Sequence, residues 1–480
     1  MMLAKSLQGR VLSVASECVP LVKTGGLADV VGALPGALAS VGWDMKVLLP
    51  CYPALRPQAA GWPVVWEETD LWGGPGRVLS GDVAGMAVLL LEAPHLFDRD
   101  GGPYGGPLGA HPDNAVRFAA LSWVGAAIAR AGIAGWKPDV LHAHDWQAAL
   151  APAYLAYTGA GAVKSVLTVH NIAFQGLAPA SLLGFLRLPG HAFHSDALEY
   201  FGGLSSLKAG LVTADRITTV SPGYAAELMR PAFGMGLQGV IAARAGVVSG
   251  ILNGVDTGVW DPGAEDPPFS AKSLAGKAVA RARLCETFGL EVPGPLAIVV
   301  SRLTEQKGID LLPAVIPDYV VGGGGLIVLG SGDPDLEGSM RQLARLFPGR
   351  VAVRIGYDET LSHQLFAGAD AVLVPSRFEP CGLTQMYGLR YGALPVVSMV
   401  GGLADTVIGA SPATLAVGAA TGLTFQPVDA LAFGQALARL VALYGQPKLW
   451  AQVRAKAMAH PVGWQTSAAA YARLYEGLVA

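Results

Sequence analysis

The feature that most constrains this chain is its alternation of short, β-branched apolar runs with helix-like segments. One series reads Val11–Ser16, Lys46–Leu49, Val88–Leu91, Val140–His142, Ser165–Val169 and Arg216–Val220. A second reads Leu296–Ser301, Leu326–Leu329, Val351–Ile355, Ala371–Val374 and Leu394–Val397. Strands that are apolar throughout and alternate with helices imply parallel sheets covered on both faces, hence an α/β fold. The chain has 480 residues. A single core stops growing near ~250–300 residues, so two domains are expected. Between the series lies Asp261–Pro268, rich in Pro, Gly and acid, which reads as the linker. Near the end, Tyr471, Leu474, Tyr475 and Leu478 recur at helical spacing, as in an amphipathic helix docked on a core.

Composition removes several classes of function. Hydrophobic residues make up 52% and charged residues 14%, and the formal net charge is −3 with no basic run. Nucleic acid and anionic membrane surfaces are therefore not expected partners. The longest uncharged stretch, Thr406–Val428, is broken by Pro412, Pro427 and glycines and does not read as a spanning helix. Glu17 and Pro20 interrupt the first apolar run, which reads as a strand rather than a signal peptide. Cys18, Cys51, Cys285 and Cys381 have no paired spacing, which fits a reducing, cytoplasmic setting.

Four segments carry candidate chemistry, each beyond the end of an expected strand, where open parallel sheets bind ligands. Lys23-Thr24-Gly25-Gly26-Leu27-Ala28-Asp29 offers backbone N–H groups and a mobile cation to a phosphate. It matches neither a P-loop nor G-x-G-x-x-G, and a tight turn with an exposed lysine is the competing reading. The run Gly-Gly-Leu-Ala-Asp recurs at 401–405, again after a strand and before a helix-like pattern. Arg302 and Lys307 follow the strand ending at Ser301. They suit a diphosphate, arginine as a planar fork and lysine as a point charge, or else form a solvated loop pair.

The third segment runs from Pro375 to Gln385. Glu379 is placed to bond sugar hydroxyls, and Gly382, Leu383 and Thr384 open a helix whose N–H groups favour phosphate. Cys381 there is a candidate for a lowered pKa, although packing is the favoured role. The fourth comprises His142, His144, Asp145, His170 and Asn171. A metal site is one reading. Against it, His142 and His144 are expected on opposite faces of a continuing strand. The favoured reading has Asp145 and His170 bonding a sugar, with His142 structural. No G-x-S-x-G elbow supports a Ser-His-Asp hydrolase.

Taken together, the chain resembles bacterial glycogen synthases and plant starch synthases. The carrying stretches are SECVPLVKTGGLADVVGALP, HAHDWQAAL, LTVHNIAFQG, ILNGVD, VSRLTEQKGIDL, LGSGDP, IGYDE, VPSRFEPCGLTQMYGLRYG and GGLADTV, in the family's order over almost the whole chain. Gly463 stands where Ser or Asp is common before the late Trp, and Val64–Met86 carries no family signature.

The resemblance implies two Rossmann-like domains facing across a cleft, the GT-B architecture of glycosyltransferases. The expected division is 1–258 on the acceptor side, 259–458 for the nucleotide sugar, and a 459–480 helix crossing back to the first domain. It implies retaining transfer of glucose from ADP-glucose to the 4-hydroxyl end of an α-1,4-glucan, with no metal and no other cofactor. By position, Lys23, Gly25 and Gly26 would meet the donor's phosphate and sugar. Arg302 and Lys307 would hold its diphosphate. Glu379, helped by the Cys381–Leu383 backbone, would bond the glucose 3- and 4-hydroxyls. Asp145, His170 and Asn253 would line the opposite wall. The preference for ADP rests on the resemblance alone. Retention by front-face attack, with the His170 carbonyl in support, is preferred to a carboxylate nucleophile, since no carboxylate is clearly placed for that. The competing functions are another retaining two-domain transferase with a different donor or small acceptor, and a catalytically silent glucan-binding protein.

Overall fold

The computed structural model describes residues 7–159 and 163–480. They form two compact units: the chain up to Leu252 together with Trp464–Ala480, and Asn253–Gly463. The breaks thus fall at 252/253 and 463/464, against expected positions of 258/259 and 458/459.

Unit 1 holds a nine-stranded sheet. Its strands are β1 (Gly9–Val14), β2 (Trp43–Pro50), β3 (Val64–Glu68), β4 (Gly76–Val83), β5 (Met86–Glu92), β6 (Val140–His144), β7 (Lys164–Val169), β8 (Arg216–Thr219) and β9 (Val248–Gly250). Their order is β9-β8-β7-β6-β1-β2-β5-β4-β3. Every pair from β9 to β5 is parallel, whereas β5–β4 and β4–β3 are antiparallel. The unfamiliar stretch from Val64 to Met86 is therefore an edge meander. Its strands are only partly buried, so they lack the continuous apolar signal of β1 or β7.

Two helices cover β1 and β2: α1 (Gly26–Ala39) and the last helix, Trp464–Val479. The latter belongs to unit 1 and buries Trp464, Tyr471 and Tyr475 with Val30, Leu34, Trp43 and Val140. Tyr471 and Tyr475 are both 0% exposed, so the aromatic spacing read in the sequence is the buried stripe. Leu474 and Leu478 pack at its margin.

Unit 2 holds a six-stranded parallel sheet of β10 (Leu296–Val300), β11 (Gly325–Gly330), β12 (Val351–Ile355), β13 (Ala371–Val374), β14 (Leu394–Ser398) and β15 (Leu423–Phe425). The order is β12-β11-β10-β13-β14-β15. Its core gathers Leu296, Ile298, Ile327, Leu365, Phe366, Val372, Tyr391 and Val397.

Asp261–Pro268 is not a free linker. Trp260 stacks between His363 and Tyr387, with ring centroids 4.1 and 3.8 Å away. Asp261 pairs with Arg390 at 2.8 Å, and Glu265 accepts from Tyr391 and contacts His363. Composition suggested a linker, but these carboxylates are bound to partners on unit 2.

Candidate functional site

In each sheet the strand order reverses at one point, and the crevice beyond the carboxyl ends there is where doubly wound sheets bind ligands. In unit 2 the reversal lies between β10 and β13. The loops after these two parallel neighbours leave from the same sheet edge, which brings together segments some 70 residues apart in sequence, as the Lys307–Glu379 pairing shows directly. The loops are bound tightly to one another. Gly308 has φ +69°, and a Cβ there would lie 2.0 Å from the Pro375 carbonyl oxygen, so only glycine allows the approach. Arg377 donates its backbone N–H to the Gln306 carbonyl and grips Asp310 with two bonds of 2.7 and 2.6 Å.

Within this frame Lys307 Nζ lies 2.5 Å from Glu379 Oε2, and both side chains are largely buried. Ser376 Oγ donates to the same carboxylate oxygen at 3.1 Å. A buried ion pair of this kind contributes little net stability, because desolvation offsets the attraction. What it supplies is a charged pair held ready at a strand end. Next to it, α2 (Thr384–Tyr391) begins. Gln385 Nε2 donates to the carbonyls of Cys381 and Gly382 and to Thr406 Oγ1, which turns these groups inward. The N–H groups of Gly382, Leu383 and Thr384 make no hydrogen bond among the described residues, leaving open donors at a helix start. Arg302 is exposed, and no hydrogen bond or ion pair among the described residues involves its guanidinium. The structure therefore does not bring it into contact with Lys307.

Cys381 is 4% exposed, and burial pushes its thiol up to about 12. This overturns the expected lowering. The helix start is insufficient against complete desolvation, and packing is the thiol's role. Asn253 belongs to unit 2, with its backbone N–H on the Cys381 sulfur, rather than to the wall bearing Asp145 and His170. Its Oδ1 is buried without a partner among the described residues.

In unit 1 the reversal lies between β1 and β6. The loop after β1 carries Lys23–Gly26, and the loops after β6 and its neighbour β7 carry Asp145 and His170. Glu17, 3% exposed, organises the first loop. It accepts from the Thr24 N–H, the Thr24 hydroxyl, the Gly25 N–H and the Tyr104 hydroxyl. The Gly25 N–H is thus taken up internally, and the open donor of the glycine pair is Gly26. Lys23 pairs with Asp29 at 2.8 Å on the surface.

Asp145 has a left-handed backbone, φ +54°, uncommon for a residue with a side chain and typical of functional sites. Its Oδ1 accepts from the N–H groups of His170 and Asn171 at 2.6 and 3.3 Å. Burial nonetheless lifts its carboxyl to about 7, with these bonds acting in the opposite direction.

The histidines form a buried array. His142 and His144 have ring centroids 4.2 Å apart and so share one face of β6. The expectation of opposite faces fails because residues two apart on a strand point the same way. His142 bonds Tyr475 and Thr168, while His144 bonds Ser13 and His170. Burial lowers His142 and His170 to about 3 and His144 well below its ordinary value, so all three rings are neutral at pH 7. No group of three or more His, Cys, Asp or Glu side chains among the described residues is placed to hold a metal ion.

Reading the sequence missed Glu17, Tyr104, Ser376, Arg377 and Gln385 as organisers of these loops. Glu17 had a signal: a carboxylate inside the apolar run that leads to the glycine pair. The others act through contacts distant in sequence.

Both units are Rossmann-like, and the fold is that of GT-B glycosyltransferases. The starch synthase catalytic domain family matches residues 10–243, and the glycosyl transferases group 1 family matches residues 294–442. The glycogen synthase of Cereibacter sphaeroides (strain ATCC 17025) is 69% identical over 99% of this chain and 100% of its own length. That of Paracoccus denitrificans is 57% identical, over 98% of this chain and 100% of its own. Among solved structures, the catalytic domain of starch synthase IV from Arabidopsis thaliana, bound to ADP and acarbose, superposes with a TM-score of 0.85 at 31% identity, covering 98% of this chain and 99% of that one. A sucrose-phosphate synthase from Thermosynechococcus elongatus shares the fold, with a TM-score of 0.60 at 20% identity over 98% and 99% of the two chains. The chain belongs to the glycogen and starch synthase family and is a glycosyltransferase. No helix among the described residues is long and apolar enough to cross a membrane.

Proposed function

We propose that the chain elongates an α-1,4-glucan by moving glucose from ADP-glucose to a non-reducing 4-hydroxyl with retention, in the cytoplasm and without a metal or other cofactor. The observation that carries the reading is the buried Lys307–Glu379 pair beside the open N–H groups of Gly382–Thr384. Cleaving the anomeric bond leaves charge on a diphosphate. Lys307, Arg302 and the helix start supply donors for it, and Lys23 with the Gly26 N–H adds more from unit 1. Glu379 accepts from the glucose 3- and 4-hydroxyls, with the Cys381–Leu383 backbone in support. Asp145, His170 and Asn253 bond the donor sugar. The His170 ring, neutral at pH 7, can donate or accept a hydrogen bond but does not act as an acid.

The test offers ADP-glucose and UDP-glucose, each with glycogen and with and without a chelator, and measures nucleotide release and glucose incorporated. The reading expects chelator-insensitive incorporation from ADP-glucose. Glycogen binding without ADP release would overturn it, and a faster reaction with UDP-glucose would overturn the donor assignment.

A further inference from the structure

His170 is the proposed sugar ligand of unit 1, and its ring can serve only if the correct nitrogen carries the proton. Two neutral tautomers exist, and the hydrogen bond at one nitrogen selects the state of the other. The His170 Nε2 lies 3.0 Å from His144 Nδ1, and His144 Nε2 lies 3.1 Å from Ser13 Oγ. His144 and Ser13 are both 0% exposed, so no solvent intervenes. His170 Nδ1 makes no hydrogen bond among the described residues. The residue as a whole is 9% exposed, and Nδ1 is the ring nitrogen left for a ligand.

The direction of the chain follows from Ser13. Its hydroxyl has His144 as its side-chain partner in this buried setting. If it accepted from His144, its own O–H would be buried with nothing to receive it. An unpaired buried donor is the costlier defect, and a lone pair left over on oxygen is tolerated more readily. Ser13 therefore donates to His144 Nε2. The His144 proton then resides on Nδ1 and is donated to His170 Nε2. The His170 proton is left on Nδ1, the nitrogen with no partner among the described residues.

We propose that His144 is a positioning residue that, with Ser13, fixes His170 in the Nδ1–H tautomer, so that the ring presents a hydrogen-bond donor to a sugar oxygen of the substrate. The value of this role rests on the transferase reading above, but the tautomer itself does not. The neighbouring His142 is bonded separately to Tyr475 and Thr168, so it packs on His144 without competing for either nitrogen.

The test uses the full chain, labelled with nitrogen-15 at histidine, with the His170 signals assigned by their loss in His170→Gln. The expected spectrum of the unsubstituted protein shows His170 protonated at Nδ1 and unprotonated at Nε2. The reverse pattern, or fast exchange between the two, overturns the proposal whatever the activity. Kinetics supply the second arm. In His144→Leu, kcat should fall about tenfold, less than the roughly hundredfold loss on deleting a preorganised donor outright. In His144→Asn, whose amide nitrogen takes the place of Nδ1 and can donate to His170 Nε2, most of that loss should be recovered. An unchanged kcat in His144→Leu overturns the role, as does equal loss in both variants. If the unsubstituted protein releases no ADP, the transferase reading fails while the spectrum still decides the tautomer.

Discussion

Gly-Gly-Leu-Ala-Asp opens a helix in each unit, and the two copies meet different demands. Gly25 and Gly26 are exposed, and a Cβ at either would meet nothing within 4 Å. Gly401 and Gly402 are buried, and a Cβ on Gly402 would lie 2.3 Å from the Cys381 carbonyl oxygen. Gly402 also donates to the Glu379 carbonyl. In unit 1 the pair leaves room beside a helix start. In unit 2 it lets one strand-end loop press against another and so supports the segment carrying Glu379. The contrast extends to charge. Unit 2 holds a buried ion pair at its sheet reversal, whereas unit 1 holds neutral imidazoles and a carboxyl raised to about 7. Identical letters are thus fitted to an electrostatic site in one unit and to a hydrogen-bonding one in the other.

The largest expected effects lie in unit 2. Lys307→Ala and Arg302→Ala should each lower kcat/KM by about a hundredfold or more, as removal of a preorganised donor to a developing anion does. Arg302 is exposed and without side-chain partners among the described residues, so its variant should keep its stability within about 0.5 kcal/mol. Near-normal turnover in both would remove the charged half of the comparison. Next in size, Gly402→Ala should destabilise unit 2 by about 1–3 kcal/mol through overpacking against the Cys381 backbone. Gly25→Ala, with open space and an extended φ of −159°, should change stability by less than about 0.5 kcal/mol. Urea titration of both variants checks this, and equal losses would erase the distinction.

The charge contrast predicts pH dependence from unit 1. His142 and His170 fall from an ordinary 6.5 to about 3 on folding, so the unfolded chain binds their protons first. Stability from keeping these rings neutral is present above about 6.5 and is lost as pH falls toward about 3. Asp145 acts oppositely. Its folded value of about 7 exceeds the ordinary 3.8, so the stability of its neutral form is present below about 3.8 and is lost as pH rises through about 7. Relative to the unsubstituted chain, Asp145→Asn should therefore lose less stability between pH 5 and pH 8, read from unfolding midpoints. A parallel decline in both proteins would contradict the assignment. The smallest effect concerns thiols. Cys381, buried and raised to about 12, should alkylate more slowly at pH 8 than the partly exposed Cys285, as peptide mass mapping would show.

The sequence by itself determined the α/β class, most strand positions and the segments that would carry chemistry. Apolar periodicity and turn residues are local properties, and β12 and β13 were legible to the residue. Partly buried β3 and β4, and the short β9 and β15, were not, because exposure dilutes the apolar pattern and three residues are too few to show one. Only the tertiary structure decided which candidates meet. Strand order joined Lys307 to Glu379, while loop packing put Asn253 in the unit of Cys381 and anchored Asp261–Pro268 through Trp260. It also set protonation, since the same cysteine at a helix start or the same histidine at a strand end shifts according to how completely the rest of the fold removes water from it.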